Sequence, residues 1–237
     1  MALDKPNLEE GLAIVQKTKA LTRFFKVGLE LFLAEGPRAV NALTGQGLSV
    51  FLDVKIHDIP NTAAGAARSA VRMGLGFITL HASGGVTMMR EAMDAACEES
   101  EKTGIPRPAL LAVTALTSLD RQALTEELEW SEPESLVKRL SELAVRAGMD
   151  GIVASPKEIP TVRQVVGKHK LIVTPGVRPA WYGLQDQRRV MGPGEAIAEG
   201  ADYIVVGRPV TQAPDPAGAL ERVLAEIAAQ TGGDRIE

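Results

Sequence analysis

Ser49-Val50-Phe51-Leu52-Asp53-Val54-Lys55-Ile56-His57-Asp58-Ile59-Pro60-Asn61-Thr62 begins as an apolar run and ends in charge. Its first part, Ser49 to Val54, is mostly apolar rather than alternating, the pattern of a parallel strand buried on both faces. Helical spacing follows over Thr62 to Met73, so the stretch is one strand–helix unit. Outward from it the same succession recurs. Further strands are expected at Phe25 to Val27, Phe77 to Leu80, Ala109 to Val113, Gly151 to Val153, Leu171 to Val173 and Tyr203 to Val206. Helical spacing marks Leu8 to Ala20, Val86 to Thr103, Pro133 to Ala147, Pro156 to Val166 and Pro216 to Thr231. Gly74, Gly104 and Gly148 follow three of these helices, where a left-handed capping residue is favoured.

Seven strands are visible in this pattern, and Met1 to Leu3 offers a clipped eighth. An α/β chain of 237 residues built this way is expected to form one (β/α)8 TIM barrel over residues 1–237. A doubly wound open sheet is the alternative. No interdomain linker, low-complexity segment or sequence repeat stands out. Ser118 to Glu132 is the longest irregular connection and is expected to hold a short extra helix.

Composition narrows the function. Hydrophobic residues make up 45% and charged residues 24%, an ordinary globular balance. A net charge of -4 provides no basic field for nucleic acid, and 4% aromatics are few for base stacking. No run is long enough to span a membrane, and Met1 to Glu10 does not read as a signal peptide, so a cytoplasmic address is expected. Cys97, the one cysteine, excludes an internal disulfide framework and a cysteine-based zinc site.

In a barrel the chemistry belongs at the C-terminal ends of the strands. Asp53 and Lys55 lie two apart on a strand and so share a face. With Val50, Leu52 and Val54 in the other register, that face carries opposite charges at the rim of the interior. Asp58 lies just beyond, Lys26 ends the preceding strand, and Asp4 ends the first. Burying such charges is costly unless each is compensated. Singly, each fits a structural ion pair as well as a catalytic role; clustered at three adjacent strand ends, they favour function. Two glycine-rich turns follow the last two strands, Thr174-Pro175-Gly176-Val177-Arg178 and Val206-Gly207-Arg208-Pro209. Barrels often bind phosphate there; glycine permits close backbone approach and Arg208 offers a bidentate fork. A tight turn with a solvent-facing arginine is the plainer alternative.

Leu3-Asp4, Lys26-Val27-Gly28, Asp53 through Thr62, Leu116-Thr117-Ser118, Pro175 through Arg178, Asp186-Gln187-Arg188-Arg189 and Gly207-Arg208 resemble the motifs of the orotidine 5'-phosphate decarboxylase family, in order and spacing, over essentially the whole chain. The resemblance implies decarboxylation of orotidine 5'-phosphate to UMP, with no metal or cofactor. It also implies a charged tetrad of Lys26, Asp53, Lys55 and Asp58, with Lys55 protonating C6. Asp58 and Thr62 would reach the neighbouring site of a homodimer. Asp4 and Thr62 would contact the ribose hydroxyls, and Thr117 the pyrimidine edge. Gln187 would bridge base and phosphate, while Arg178, Gly207 and Arg208 would hold the phosphate. Against the family pattern, the first strand is expected to be short, and Gly192 stands where relatives often carry a hydroxyl.

Other residues invite chemistry less strongly. His57, His81 and His169 are too scattered for a metal triad, and His57 and His81 read as supporting residues. Cys97 reads as a small buried or half-buried helix residue. Trp181 and Tyr182 lie in Pro179 to Asp186, a stretch long enough to close over phosphate; lid and packing are both open for them. The nearest rival is a magnesium-dependent sugar-phosphate decarboxylase or aldolase with the same Asp-x-Lys-x-x-Asp core. Such relatives place a metal-binding carboxylate after the second strand, where this chain has Lys26. A phosphate sensor on an inactive barrel would be expected to lack a member of the tetrad, and none is missing.

Overall fold

The computed structural model describes residues 1–116, 122–127, 130, 133–182 and 191–231. In chain order the elements are α1 (Leu8–Thr18), β1 (Phe24–Gly28), α2 (Leu29–Glu35), α3 (Pro37–Thr44), β2 (Ser49–Ile56), α4 (Pro60–Arg72), β3 (Phe77–His81), α5 (Gly85–Thr103), β4 (Ala109–Val113), α6 (Pro133–Ala147), β5 (Gly151–Val153), α7 (Ile159–Val166), β6 (Leu171–Pro175), α8 (Pro193–Ala198), β7 (Tyr203–Val205), α9 (Arg208–Thr211) and α10 (Pro216–Thr231). Every strand expected from the apolar runs is present. The seven strands pair in parallel and in sequence order, with no switch point, which rules out the doubly wound alternative.

Residues 1–3 close most of the remaining gap. The Ala2 N–H donates to Val206 O at 2.8 Å, while Lys26 N–H and Leu3 N–H form bonds of 2.7 and 2.9 Å with Met1 O and Lys26 O. This N-terminal segment therefore stands between β7 and β1 as a one-bridge eighth strand (Ala2 with Lys26), and the barrel is nearly closed.

Alternation along each strand divides the apolar residues into two layers. Val50, Leu52, Ile78, Leu80, Leu110, Ala112, Ile152 and Ile172 join the main cluster with the helices. Phe51, Phe77, Leu111, Val113, Val153 and Val173 form a second cluster inside the barrel. Phe24, Phe51, Phe77 and Tyr203 plug its lower end by tilted and edge-on ring contacts with centroids 5.2–6.1 Å apart. The buried rings Phe51 and Phe77 contribute roughly 1.5–3 kcal/mol each by burial. The interior is thus sealed below, and open space lies at the C-terminal ends of the strands.

The helices depart from expectation where they are short. Between β1 and β2 the chain forms α2 and α3, broken at Gly36 with φ 58°, and neither has enough turns to show a periodic pattern. The expected Pro156 to Val166 helix divides into a 3-10 turn, Pro156–Glu158, and α7. The Glu158 carboxylate accepts the Ser155 N–H at 2.9 Å there, holding the turn start. The extra helix expected between Ser118 and Glu132 is a π-helical turn at Ala123–Glu127. A local repeat also emerges that is too short to see in sequence. Gly74-Leu75-Gly76, Gly148-Met149-Asp150 and Gly200-Ala201-Asp202 each lead into a strand, with φ of 65°, 83° and 112° at the first glycine.

Candidate active site

Inward positions at the upper ends of β1 and β2 are charged. Lys26 Nζ lies 3.0 Å from Asp4 Oδ1 and 3.6 Å from Asp53 Oδ2, and Lys55 Nζ donates to Asp53 Oδ1 at 2.9 Å. Asp4, Lys26, Asp53 and Lys55 therefore form one row of alternating sign. The Lys26 and Asp53 side chains keep only 12% and 14% of their exposure, so mutual compensation, rather than water, makes their charges tolerable. Gly28 makes room for the row: a Cβ there would fall 2.9 Å from Asp4 Oδ1 and 3.0 Å from Lys26 Nζ.

Lys55 reaches this row by an irregular path. The β2–β3 pairing runs Leu52 to Ile78 and then Ile56 to Leu80, so four residue steps on β2 oppose two on β3. Within this bulge Lys55 has φ 52°, the one non-glycine residue with positive φ among the described residues. Simple alternation foresaw that Lys55 meets Asp53 but not the bulge. The Lys55 N–H donates to Thr79 Oγ1 at 2.9 Å, and the Thr79 hydroxyl donates to Asp53 Oδ1 at 3.0 Å. Thr79 was not singled out from the sequence. Its signal is the alternation Phe77-Ile78-Thr79-Leu80-His81, which puts polar residues on the inward register of β3.

The opposite wall is formed by the turns after β6 and β7. Gly176 has φ 79°, Arg178 is 8% exposed, and Gly207 precedes Arg208 at the start of α9. Arg178 N–H donates to Met191 O at 3.1 Å, and its guanidinium stands 5.8 Å from the centre of the Tyr182 ring. Both walls line a single cavity of about 330 Å³. Asp4, Lys26, Asp53, Lys55, Arg178, Gly207 and Arg208 all border it, with Val113, Ala115, Leu116 and Val153 as an apolar side that the sequence reading missed. A space of this size, charged at both ends and apolar between, suits a small polar molecule with an anionic tail.

Two expected site residues do not join that cavity within one chain. Asp58 and Thr62 are exposed beyond the end of β2 and in the first turn of α4. Asp58 Oδ1 accepts the Ile59 N–H at 2.7 Å, and Ile59 is itself 66% exposed. Thr117 and Gln187 lie outside the described residues.

The remaining candidates fall into place around the site. The His57 and His81 rings meet at a tilt of 40°, with centroids 5.3 Å apart. Burial first, then His57 and Lys55, lower the His81 pKa below its ordinary value, with Asp53 acting the other way. Trp181 packs against the main core beneath the Arg222 guanidinium at 4.1 Å, which favours packing for this ring. Cys97 is exposed, against expectation, because Ala92, Met93, Ala95, Ala96 and Glu99 take the buried side of α5. Among the described residues no group of three or more His, Cys, Asp or Glu is placed to hold a metal ion. None of the described helices is long and apolar enough to cross a membrane.

Known proteins resemble this chain over most of its length. The family model described as orotidine 5'-phosphate decarboxylase / HUMPS family matches residues 1–223. A protein named orotidine 5'-phosphate decarboxylase from Moorella thermoacetica is 50% identical over 228 residues, covering 96% of this chain and 90% of that protein. One of the same name from Paramagnetospirillum magneticum is 46% identical, covering 96% and 97%. Among solved structures, orotidine 5'-phosphate decarboxylase from Lactobacillus acidophilus superposes with a TM-score of 0.83 at 38% identity, covering 95% of this chain and 96% of that one. Barrel, charge row and sequence likeness agree, and the chain belongs to the orotidine 5'-phosphate decarboxylase / HUMPS family.

Proposed function

We propose that this chain, as one barrel over residues 1–237, decarboxylates orotidine 5'-phosphate to UMP, with Lys55 as the proton donor to C6 and without metal or cofactor. The observation that carries this reading is the row Asp4–Lys26–Asp53–Lys55, facing Arg178 and Arg208 across one cavity. Arg178, Arg208 and the turns at Gly176 and Gly207 hold the phosphate, and Asp4 the ribose. Thr117 contacts the pyrimidine edge, and Gln187 spans base and phosphate. The bond from C6 to the carboxylate breaks, carbon dioxide leaves, and the electron pair stays on C6 in an orbital that the ring cannot delocalise. A fixed ammonium stabilises that pair and then donates its proton to C6; solvent returns a proton to Lys55. Asp53, with Asp58 of the second copy, holds the ammonium charged and in place, so little reorganisation is needed when the charge develops.

A second copy of the chain supplies Asp58 and Thr62, which accords with their exposure and with that of the neighbouring Ile59, 66% exposed. The homodimer is cytoplasmic and needs neither nucleic acid nor membrane.

Incubation with orotidine 5'-phosphate and EDTA, followed by pyrimidine absorbance, tests the reading. Sustained turnover is expected. No turnover would sink it, and turnover lost only on chelation would favour the magnesium-dependent relatives. Lys55→Ala should lower kcat by at least about 10³-fold in a folded protein, beyond the loss of a single oxyanion donor.

A further inference from the structure

The row of charges has a support that comes from outside it, on β3. We propose that Thr79 is a positioning residue for the reaction, setting the Lys55 ammonium through both ends of that residue; the inference rests on Lys55 being the proton donor. Between Leu52 and Ile56 the regular β2–β3 ladder is interrupted, so the Lys55 N–H has no strand carbonyl in register. It donates instead to Thr79 Oγ1 at 2.9 Å. Thr79 is 0% exposed, which leaves no solvent to take over that role. A hydroxyl has one proton to give, and here it goes to Asp53 Oδ1 at 3.0 Å. The same oxygen accepts from Lys55 Nζ at 2.9 Å.

One side chain therefore ties the root of Lys55 to the carboxylate that holds its head. The left-handed φ of 52° turns the lysine towards the cavity, and a non-glycine residue holds such a conformation only where its surroundings impose it. Without the hydroxyl, the Lys55 N–H loses its acceptor and Asp53 loses one donor. The backbone can then relax towards the extended region, carrying the ammonium off the C6 position. Arg178 and Arg208, on the far wall, do not depend on Thr79, so substrate capture should be spared.

Thr79→Val keeps shape and removes the hydroxyl, and Thr79→Ser keeps the hydroxyl. We expect Thr79→Val to lower kcat on the order of 100-fold with KM little changed, as a small misplacement of a reacting group does. Thr79→Ser should restore most of that loss. A kcat unchanged in Thr79→Val, even with a lower melting temperature, would mean that the hydroxyl only stitches β2 to β3 and would overturn the proposal. So would a rise in KM at constant kcat, or a Thr79→Ser variant as slow as Thr79→Val. If Thr79→Val does not fold, Thr79→Cys, with a weak donor of similar size, should also lose kcat, and full activity there overturns the proposal. Lys55→Ala serves as the control: activity in that variant refutes the proton-donor reading itself, whereas an inactive Lys55→Ala beside a fully active Thr79→Val refutes only the role of Thr79.

Discussion

Asp53 accepts from two sides, with Lys55 Nζ and the Thr79 hydroxyl on Oδ1 and Lys26 3.6 Å from Oδ2. The residues that make this possible need not carry charge themselves. Gly28 belongs to the same group: its backbone, with φ -90°, would accept alanine, but the added methyl meets Asp4 and Lys26 at 2.9 and 3.0 Å. Gly28→Ala is therefore expected to leave the fold intact and displace the charge row, lowering kcat/KM by about tenfold, or ~1.4 kcal/mol of transition-state stabilisation. Steady-state kinetics with a melting curve check this, and wild-type kcat/KM in the variant would show that the row tolerates displacement. Lys26, Asp53 and Lys55 were legible because charge inside an apolar strand is rare. Thr79 was not, because a lone threonine is ordinary in a strand until its register is known.

At the scale of elements, the two ends of the barrel separate stability from chemistry. The residue just before β5, Asp150, accepts both Arg107 guanidinium N–H groups at 2.6 and 2.9 Å and the Leu110 N–H at 2.8 Å. Asp202, before β7, repeats the device with Arg163 at 2.6 Å and the Ile172 N–H at 2.7 Å. These carboxylates pin the lower ends of β4 and β6, far from the cavity. Asp150→Ala should cost about 3 kcal/mol by leaving a charged guanidinium and a strand N–H without their partner. For a chain of this length that lowers Tm by roughly 8 °C, with kcat at 25 °C unchanged. Calorimetry checks the first, and a Tm within a degree of wild type would contradict the pinning role. The long helices α5, α6 and α10 were readable from their spacing. The short α2, α3, α8 and α9 were not, because their ends are decided by glycine and proline breaks and by packing on the sheet rather than by a periodic stripe.

On the scale of the whole molecule, the site is incomplete in one chain if Asp58 and Thr62 act across a dimer. Mixing Asp58→Ala with Lys55→Ala subunits tests this. About half of randomly paired dimers are mixed, and one of the two sites in each is intact, so roughly one quarter of wild-type sites should return. Absence of recovery, with mixed dimers demonstrated by mass, would contradict shared sites. Sequence alone determined the succession of strands and helices along the chain, the parallel character of the strands, the charged motif from Asp53 to Asp58 and the glycine-rich turns after the last two strands. These are local or periodic properties, written in hydrophobicity, charge and backbone freedom over a few residues. Only the tertiary structure decided that residues 1–3 bridge β7 and β1, that Thr79 holds Lys55 from the next strand, and that Asp58 does not line the cavity of its own chain. Each of these depends on register, on a bulge, or on closure between residues distant in the chain, and no local pattern encodes where such segments meet.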